Sequence, residues 1–444
     1  MRLARAGLRV ALLDRRPQGQ AGAQWVNGVA SWIFDEADVE RPQAPELLGS
    51  GHRFSICSPV GKARVDVDDN PILEVDMRLL GQRLAQQCAD AGGAVMWGMN
   101  VDGVEAGKGN RPAALLAKGP NGQRWRLRAR VYVDATGLAA VLRQQIPSLQ
   151  GACPEPDPEH ICVAAQEVRH VKDPGGAMDF LETHNAARGQ TLAWTGQHGG
   201  FSVLNVRVAP DLSEVSILTG AIAQPQYPSG RKILDRFVAS HPWIGSRVFG
   251  GSRAIPLRRP YTRLVAPGVA LLGDSACQVF SAHGSGIGMG LLAARMLADV
   301  IIEAADLGDD PGAMEVLWTY AQGFHKRWAG LLVNSDAFRR MSQTFTDKEI
   351  DKLMRSGLMA KGMVAATLGQ RPVVLGGAEL PGVLLGALRA PTLTARLLPL
   401  LLRMPLVNFL AATYPEYSAY ADVDLYRYER RMRWLVGDED ATAR

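Results

Sequence analysis

Three acidic residues stand at the ends of apolar runs in this chain, and small residues accompany each. Asp14 follows residues 8–13 (LRVALL), Asp134 follows the β-branched run 128–133, and Asp274 follows residues 269–272 and Gly273. A carboxylate at the carboxyl edge of a parallel sheet can accept hydrogen bonds from sugar-type hydroxyls. Small neighbours then let a ligand approach the backbone. Asp134-Ala135-Thr136-Gly137 and Gly273-Asp274-Ser275-Ala276 have that form. A third feature supplies positive potential: Gly284-Ser285-Gly286-Ile287-Gly288 opens a long apolar segment with helical spacing. The free N–H groups of a helix N-terminus favour negative charge. His283 directly precedes this loop and can titrate near neutral pH. Each feature alone also has a plain reading. Asp14 can be a polar strand end, D-A-T-G a common turn, the glycine run a turn with no ligand, and His283 a histidine bonded to backbone.

The elements that must position these residues follow from periodicity and punctuation. Residues 1–6 read as the end of a helix, with Gly7 as its left-handed cap. Residues 8–13 read as a buried parallel strand. Helix end, glycine, strand and acid make the second half of a βαβ unit. In such units the acid lies about 20 residues beyond a G-x-G-x-x-G loop. Only 13 residues precede Asp14, and that loop occurs nowhere in the chain. The expectation is therefore a dinucleotide-type fold lacking its first strand and glycine loop, with an upstream start as the preferred explanation. Residues 53–75 alternate as short antiparallel strands, and residues 77–91 are helical until Gly92-Gly93, where a strand begins at Ala94. Residues 160–225 read as sheet, about 287–305 as one long helix, and 312–436 as mostly helix.

Composition narrows the class. The chain has 444 residues, 47% apolar and 21% charged, and a net charge of +5. It is long enough for two or three modules with a large core. Its basic residues are scattered, which argues against a nucleic-acid partner. Five cysteines (Cys57, Cys88, Cys153, Cys162, Cys277) include no C-x-x-C pair. Neither a disulfide framework nor a zinc site is expected, and a reducing cytoplasm is the natural compartment. No signal peptide or uninterrupted membrane span is read.

The order of motifs resembles the single-FAD oxidoreductases of the aromatic-hydroxylase type, and most resembles geranylgeranyl reductases and their flavin-dependent dehydrogenase relatives. Supporting stretches are Ser58-Pro59-Val60-Gly61-Lys62, Val75-Asp76 leading into a helix, Gly251-Ser252-Arg253-Ala254-Ile255-Pro256, and residues 268–287. The resemblance covers about residues 1–335. It implies an α/β fold: a Rossmann-like FAD-binding domain at 1–50, 76–150 and 254–310, lacking its first strand and glycine loop. Into it is inserted a mostly antiparallel β-sheet substrate domain at 51–75 and 151–253, and a helical region follows at 311–444. It assigns FAD contacts to Asp14, Arg78, Asp134, Thr136, Gly137, Gly273, Asp274, Gly284, Gly286 and Ile287, and places His283 as the candidate catalytic group. No metal is implied.

The chain departs from that pattern at several points. Met77 stands where the family has an arginine after Val-Asp, and Arg78 comes next. Ser281 and His283 replace the usual Pro and Thr. Trp25-Val26-Asn27-Gly28 occupies the region of the reductases' Cys-Gly, and the halogenase W-x-W-x-I-P motif is absent.

Gln197-His198-Gly199-Gly200 can face the ring or be a plain loop. Trp25, Asn27 and Trp32 can line the cleft or pack the core. Cys57 and Cys277 read as core residues. The Leu- and Pro-rich stretch 380–410 can pack as ordinary helices, roof an apolar tunnel or dock on a bilayer surface. The implied activity is FAD-dependent hydride transfer to or from a carbon–carbon bond of a hydrophobic, lipid-like substrate, with NAD(P)H as a candidate external donor. A flavin monooxygenase and a flavin-free remnant are the alternatives. The oligomeric state is not read.

Overall fold

The computed structural model describes residues 1–437 except 62 and 375; Lys62 of the motif stretch and residues 438–444 of the helical region lie outside the described residues. The chain opens on the short helix Arg2–Arg5, and Gly7 takes a φ of +79°. The strand Ala11–Asp14 then pairs in parallel with Ala94–Trp97, which puts Asp14 opposite Trp97. The helix Met77–Asp90 connects back to this pair. Asp76 caps it, its side chain accepting from Arg78 N–H, a contact worth about 0.5–2 kcal/mol. A second parallel pair joins Tyr132–Asp134 to Val269–Leu271, which also meets the short strand Val265–Ala266.

Two strands expected to be buried are only partly so. Leu12 is 41% exposed and Val133 is 37% exposed. The reason is local: among the described residues Ala11–Asp14 and Tyr132–Asp134 each have one paired edge. A parallel strand gains full burial only with neighbours on both sides and helices on both faces.

The largest sheet has seven strands, in the order Ile244–Pro256, Ile161–Val171, Glu214–Ile222, Ser202–Val208, Thr191–Thr195, Phe54–Cys57, Arg64–Val67. Its strands alternate as a half-covered sheet requires: Val215 and Ile217 are fully buried, while Ser216 and Leu218 are partly open. The helices Pro174–Thr183 and Gly230–Ser240 cover it through Phe180, Leu181 and Leu234. Two smaller antiparallel sheets complete the β structure. In one, Ile72–Asp76 runs between Val26–Ala30 and Leu47–Ser50. In the other, Pro112–Lys118 runs between Asn100–Ala106 and Arg124–Leu127. Ile72–Asp76 falls largely in the stretch 53–75 expected to form short antiparallel strands; its partners Val26–Ala30 and Leu47–Ser50, and the second sheet, were not expected, because their strands show no clean two-residue alternation.

The main core gathers around the helix Ile287–Asp306. It packs on Ser31–Glu36 and on Met314–Phe324, and buries Met289, Leu292, Ala293 and Leu297. The C-terminal helices wrap this core. Gly330–Ser342 and Pro391–Ala412 lie together, and Ala421–Val436 packs across them.

Candidate functional site

The three acidic strand ends differ in what their carboxylates do. Asp134 is fully buried, and its own loop saturates it. Oδ1 accepts from Thr136 N–H (3.1 Å) and Thr136 Oγ1 (2.6 Å), and Oδ2 accepts from the N–H groups of Leu142 and Arg143 (both 2.9 Å). These charge-assisted bonds fix the turn. Thr136 Oγ1 accepts in turn from Val141 N–H at 2.9 Å. Gly137 has a φ of +71°, and a Cβ there would meet nothing within 4 Å. The turn thus offers bare backbone to a ligand, while its carboxylate stays inside.

Asp14 is half-buried, with Oδ1 accepting from Arg16 N–H at 2.8 Å. Asp274 stands in the turn Gly273–Ala276. Among the described residues its carboxylate accepts no hydrogen bond. Burial pushes its pKa up to about 6, against the pull of Arg253. Arg253 comes from the long strand Ile244–Pro256 and donates from Nη2 to Gly22 O at 3.0 Å. Burial lowers its pKa, Arg15 and Arg16 lower it further, and Asp14 and Asp274 raise it. One guanidinium therefore lies within electrostatic reach of both the first and the third acidic strand ends. Spacing in the sequence gave no sign of this.

The glycine loop completes the arrangement. Phe280 N–H donates to Ser285 O at 2.9 Å, and Gly284 turns the chain with a φ of +72°. A Cβ at Gly286 would stand 2.8 Å from Asp274 Oδ1 and 2.9 Å from Val279 Cγ2. Only glycine admits that carboxylate so close to the start of the helix. Gly286 is the N-cap of Ile287–Asp306 and supplies no side-chain cap, so the first-turn N–H groups keep their partial positive charge unanswered by a side chain. Gly273, with a φ of +69°, also faces open space. A carboxylate without a partner, bare glycine backbone and an uncapped helix N-terminus share one place. They suit a ligand that carries both hydroxyl groups and negative charge.

His283 lies beside this loop, against Phe280 with ring centroids 4.9 Å apart. Its Nε2 is 3.1 Å from Thr367 O. A carbonyl only accepts, so Nε2 carries the hydrogen and Nδ1 is left as an acceptor. Burial drops its pKa to about 4, and the ring is neutral at pH 7. Arg78 is held by Asp76 (Nη2 to Oδ2, 2.6 Å) and lies over the Phe249 ring at 3.5 Å.

A part of the site that the sequence did not disclose comes from the C-terminal region. The helix Lys361–Leu368 and the turn after it press on the glycine loop. Gln370 is fully buried, donates from Nε2 to Ser285 Oγ at 3.2 Å, and leaves Oε1 without a partner. A Cβ at Gly288 would stand 3.2 Å from that Oε1. Trp32 donates from Nε1 to Gly369 O at 2.7 Å, stacks on Trp328 and carries Arg371 over its face. Trp25 is buried with Nε1 unpartnered. His198 is half-buried, which lowers its pKa, in a loop where Gly200 lies against Tyr227. Cys57 and Cys277 are buried free thiols.

The chemistry of these residues fits the two ends of FAD. Asp274, Gly273 and the N-terminus of Ile287–Asp306 can receive the ribityl chain and the ring edge. Asp14 can receive the adenosine ribose. No G-x-G-x-x-G stretch occurs in the sequence.

Comparison with known proteins bears on the same assignment. No protein-family model matches the chain. A curated relative, digeranylgeranylglycerophospholipid reductase 2 of Methanothermobacter thermautotrophicus, is 25% identical over 360 residues, spanning 80% of this chain and 86% of the relative. Among solved structures, a geranylgeranyl bacteriochlorophyll reductase-like protein of Thermoplasma acidophilum aligns with a TM-score of 0.70 at 17% identity, covering 90% of this chain and 94% of that one. A flavin-dependent brominase aligns with a TM-score of 0.59 at 13% identity, covering 88% and 95%. The mixed α/β fold is thus similar to that of flavin-dependent oxidoreductases, and the sequence likeness falls on the reductases the motifs resemble.

Proposed function

We propose that this chain is an FAD-dependent oxidoreductase of the geranylgeranyl reductase type, acting on carbon–carbon double bonds of a hydrophobic, lipid-like substrate. The observation that carries this reading is the Asp274 carboxylate, which accepts no hydrogen bond among the described residues, against the N-terminus of Ile287–Asp306, which has no side-chain cap. FAD, when bound, supplies the hydride chemistry, and the protein supplies orientation and electrostatics.

In this reading Asp274 accepts from ribityl hydroxyls, and the bare backbone at Gly137, Gly273, Gly284 and Gly286 lets the cofactor lie close. The N–H groups from Ile287 onward would stabilise negative charge that the flavin gains on reduction. Asp14 accepts from the adenosine ribose hydroxyls. Asp134 and Thr136 act through the turn they hold. Arg253 balances the two half-buried acids Asp14 and Asp274, and Arg78, carried by Asp76 and Phe249, lies at the entrance to the helix Met77–Asp90. His283 keeps a neutral ring beside the loop and accepts at Nδ1; it can pass a proton only after taking one up. NAD(P)H is the proposed electron donor.

The test is anaerobic. The protein, loaded with FAD and reduced by dithionite, is mixed with a geranylgeranylated glycerolipid in detergent, and the lipid is weighed by mass spectrometry. Gain of one H2 per double bond is the expected result. An unchanged lipid without oxygen, together with an oxygenated product once air is admitted, would replace the reductase reading with a monooxygenase.

A further inference from the structure

The helices Leu380–Arg389 and Pro391–Ala412 show an apolar surface that none of the described residues covers. On the longer helix, Leu398, Leu402, Leu406 and Phe409 recur at three- and four-residue spacing and form one outward stripe. Leu402 is 65% exposed and Phe409 is 72% exposed. The shorter helix adds Leu384 and Leu388, the latter 79% exposed. Isolated exposed leucines are ordinary, but a row of them along one helix face marks a surface that meets something apolar.

The opposite face is already committed. Val407, Leu410 and Ala411 are buried against the body of the protein, and Asn334 Nδ2 on the helix Gly330–Ser342 donates to Met404 O (3.3 Å) and Asn408 Oδ1 (3.0 Å). By length and composition Pro391–Ala412 could cross a membrane. Its inner face, however, is held in the fold, and Pro399 and Pro405 interrupt its backbone hydrogen bonds. It can meet a bilayer only from the side.

Charge selects the occupant. From Leu380 to Pro415 the chain contains Arg389, Arg396 and Arg403 and no Asp or Glu. Arg396 pairs with Glu349. Arg389 and Arg403 are exposed and form no ion pair among the described residues. Arg403 also borders a cleft of about 250 Å³ with Leu400, Val407 and Leu435. An apolar stripe edged by unpaired arginines, and free of acids, complements lipid chains below anionic phosphates.

We propose that Leu380–Arg389 and Pro391–Ala412 form a docking face that lies in the plane of an anionic lipid surface. Its purpose rests on the lipid-substrate reading, since a substrate held in a bilayer must be drawn out of it. Its existence is measured without flavin or substrate.

The experiment is flotation of the full chain with phosphatidylglycerol vesicles and with phosphatidylcholine vesicles. Wild type should float with the anionic vesicles. Leu402→Glu/Phe409→Glu should lower the bound fraction at least tenfold, the order expected when buried apolar side chains are replaced by charge. Arg389→Glu/Arg403→Glu should weaken binding to anionic vesicles only, and added salt should weaken wild type likewise. Unchanged circular dichroism and melting temperature of the variants show that the fold is intact. Absence of wild-type flotation would overturn the proposal. So would a self-associated wild type that Leu402→Glu/Phe409→Glu turns into monomer, since the face would then belong to a second copy.

Discussion

Asp274 is the residue on which the account turns, and its energetics conflict with stability. Its folded pKa, raised to about 6 by burial, exceeds the ordinary value of 3.8. A raised carboxylate favours folding while protonated; that contribution is full below the ordinary value and is lost as pH climbs through about 6. At pH 7 the buried charge therefore opposes folding. Asp274→Asn should stabilise the cofactor-free protein at pH 7 by on the order of 1–2 kcal/mol, discounted for its partial contact with solvent. The same change should weaken FAD binding about tenfold or more, through loss of a charge-assisted acceptor. Thermal melts and flavin fluorescence titration measure the two effects, and a variant that is less stable or binds FAD unchanged would remove Asp274 from the site.

The histidines give the opposite sign. Burial lowers both His283 and His325 to about 4, below the ordinary value of 6.5. A depressed histidine contributes stability that is present above the ordinary value and lost as pH falls through the folded one. Urea midpoints should thus fall between pH 6.5 and 4, and His325→Gln should flatten that slope. A midpoint indifferent to acid would show these rings to be solvated.

At the scale of elements, the start of Ile287–Asp306 tolerates no side chain at Gly286. Gly286→Ala would force a Cβ within 2.8 Å of Asp274 Oδ1 and 2.9 Å of Val279 Cγ2. Loss of FAD binding is expected, with destabilisation of about 1–3 kcal/mol from overpacking. The turn after Lys361–Leu368 is held more lightly. Trp32→Phe removes the bond to Gly369 O and should cost about 1 kcal/mol, read as faster proteolysis near residue 371 with the global melt nearly unchanged.

Elements whose period is strong were legible in the sequence: the helix Met77–Asp90 with Gly92 beyond it, the strands of residues 161–222, and the long helix from Ile287. The three-stranded sheet spanning Asn100–Leu127 was not foreseen, although Asn121-Gly122 marks one of its turns. Gln370 and Gly369 were beyond reach for another reason. They meet Ser285 and Trp32 across 85 and 337 positions of chain, and no local pattern encodes such a contact.

At the scale of the whole molecule, the motif order pointed to a fold similar to that of FAD-dependent oxidoreductases because three acidic strand ends with small residues follow one another along the chain. What the motifs could not show is which carboxylates remain available. Asp134 is consumed by its own loop, whereas Asp274 is left open. The sheet tells the same story at larger size. Leu12 and Val133 lie partly exposed on strands that, among the described residues, are paired on one side. The most direct measurement is a visible absorption spectrum of the purified chain after incubation with FAD and removal of excess. Flavin bands that stay with the protein, together with a raised melting temperature, are the expected result. A colourless protein whose melt FAD does not move would contradict the FAD-dependent reading.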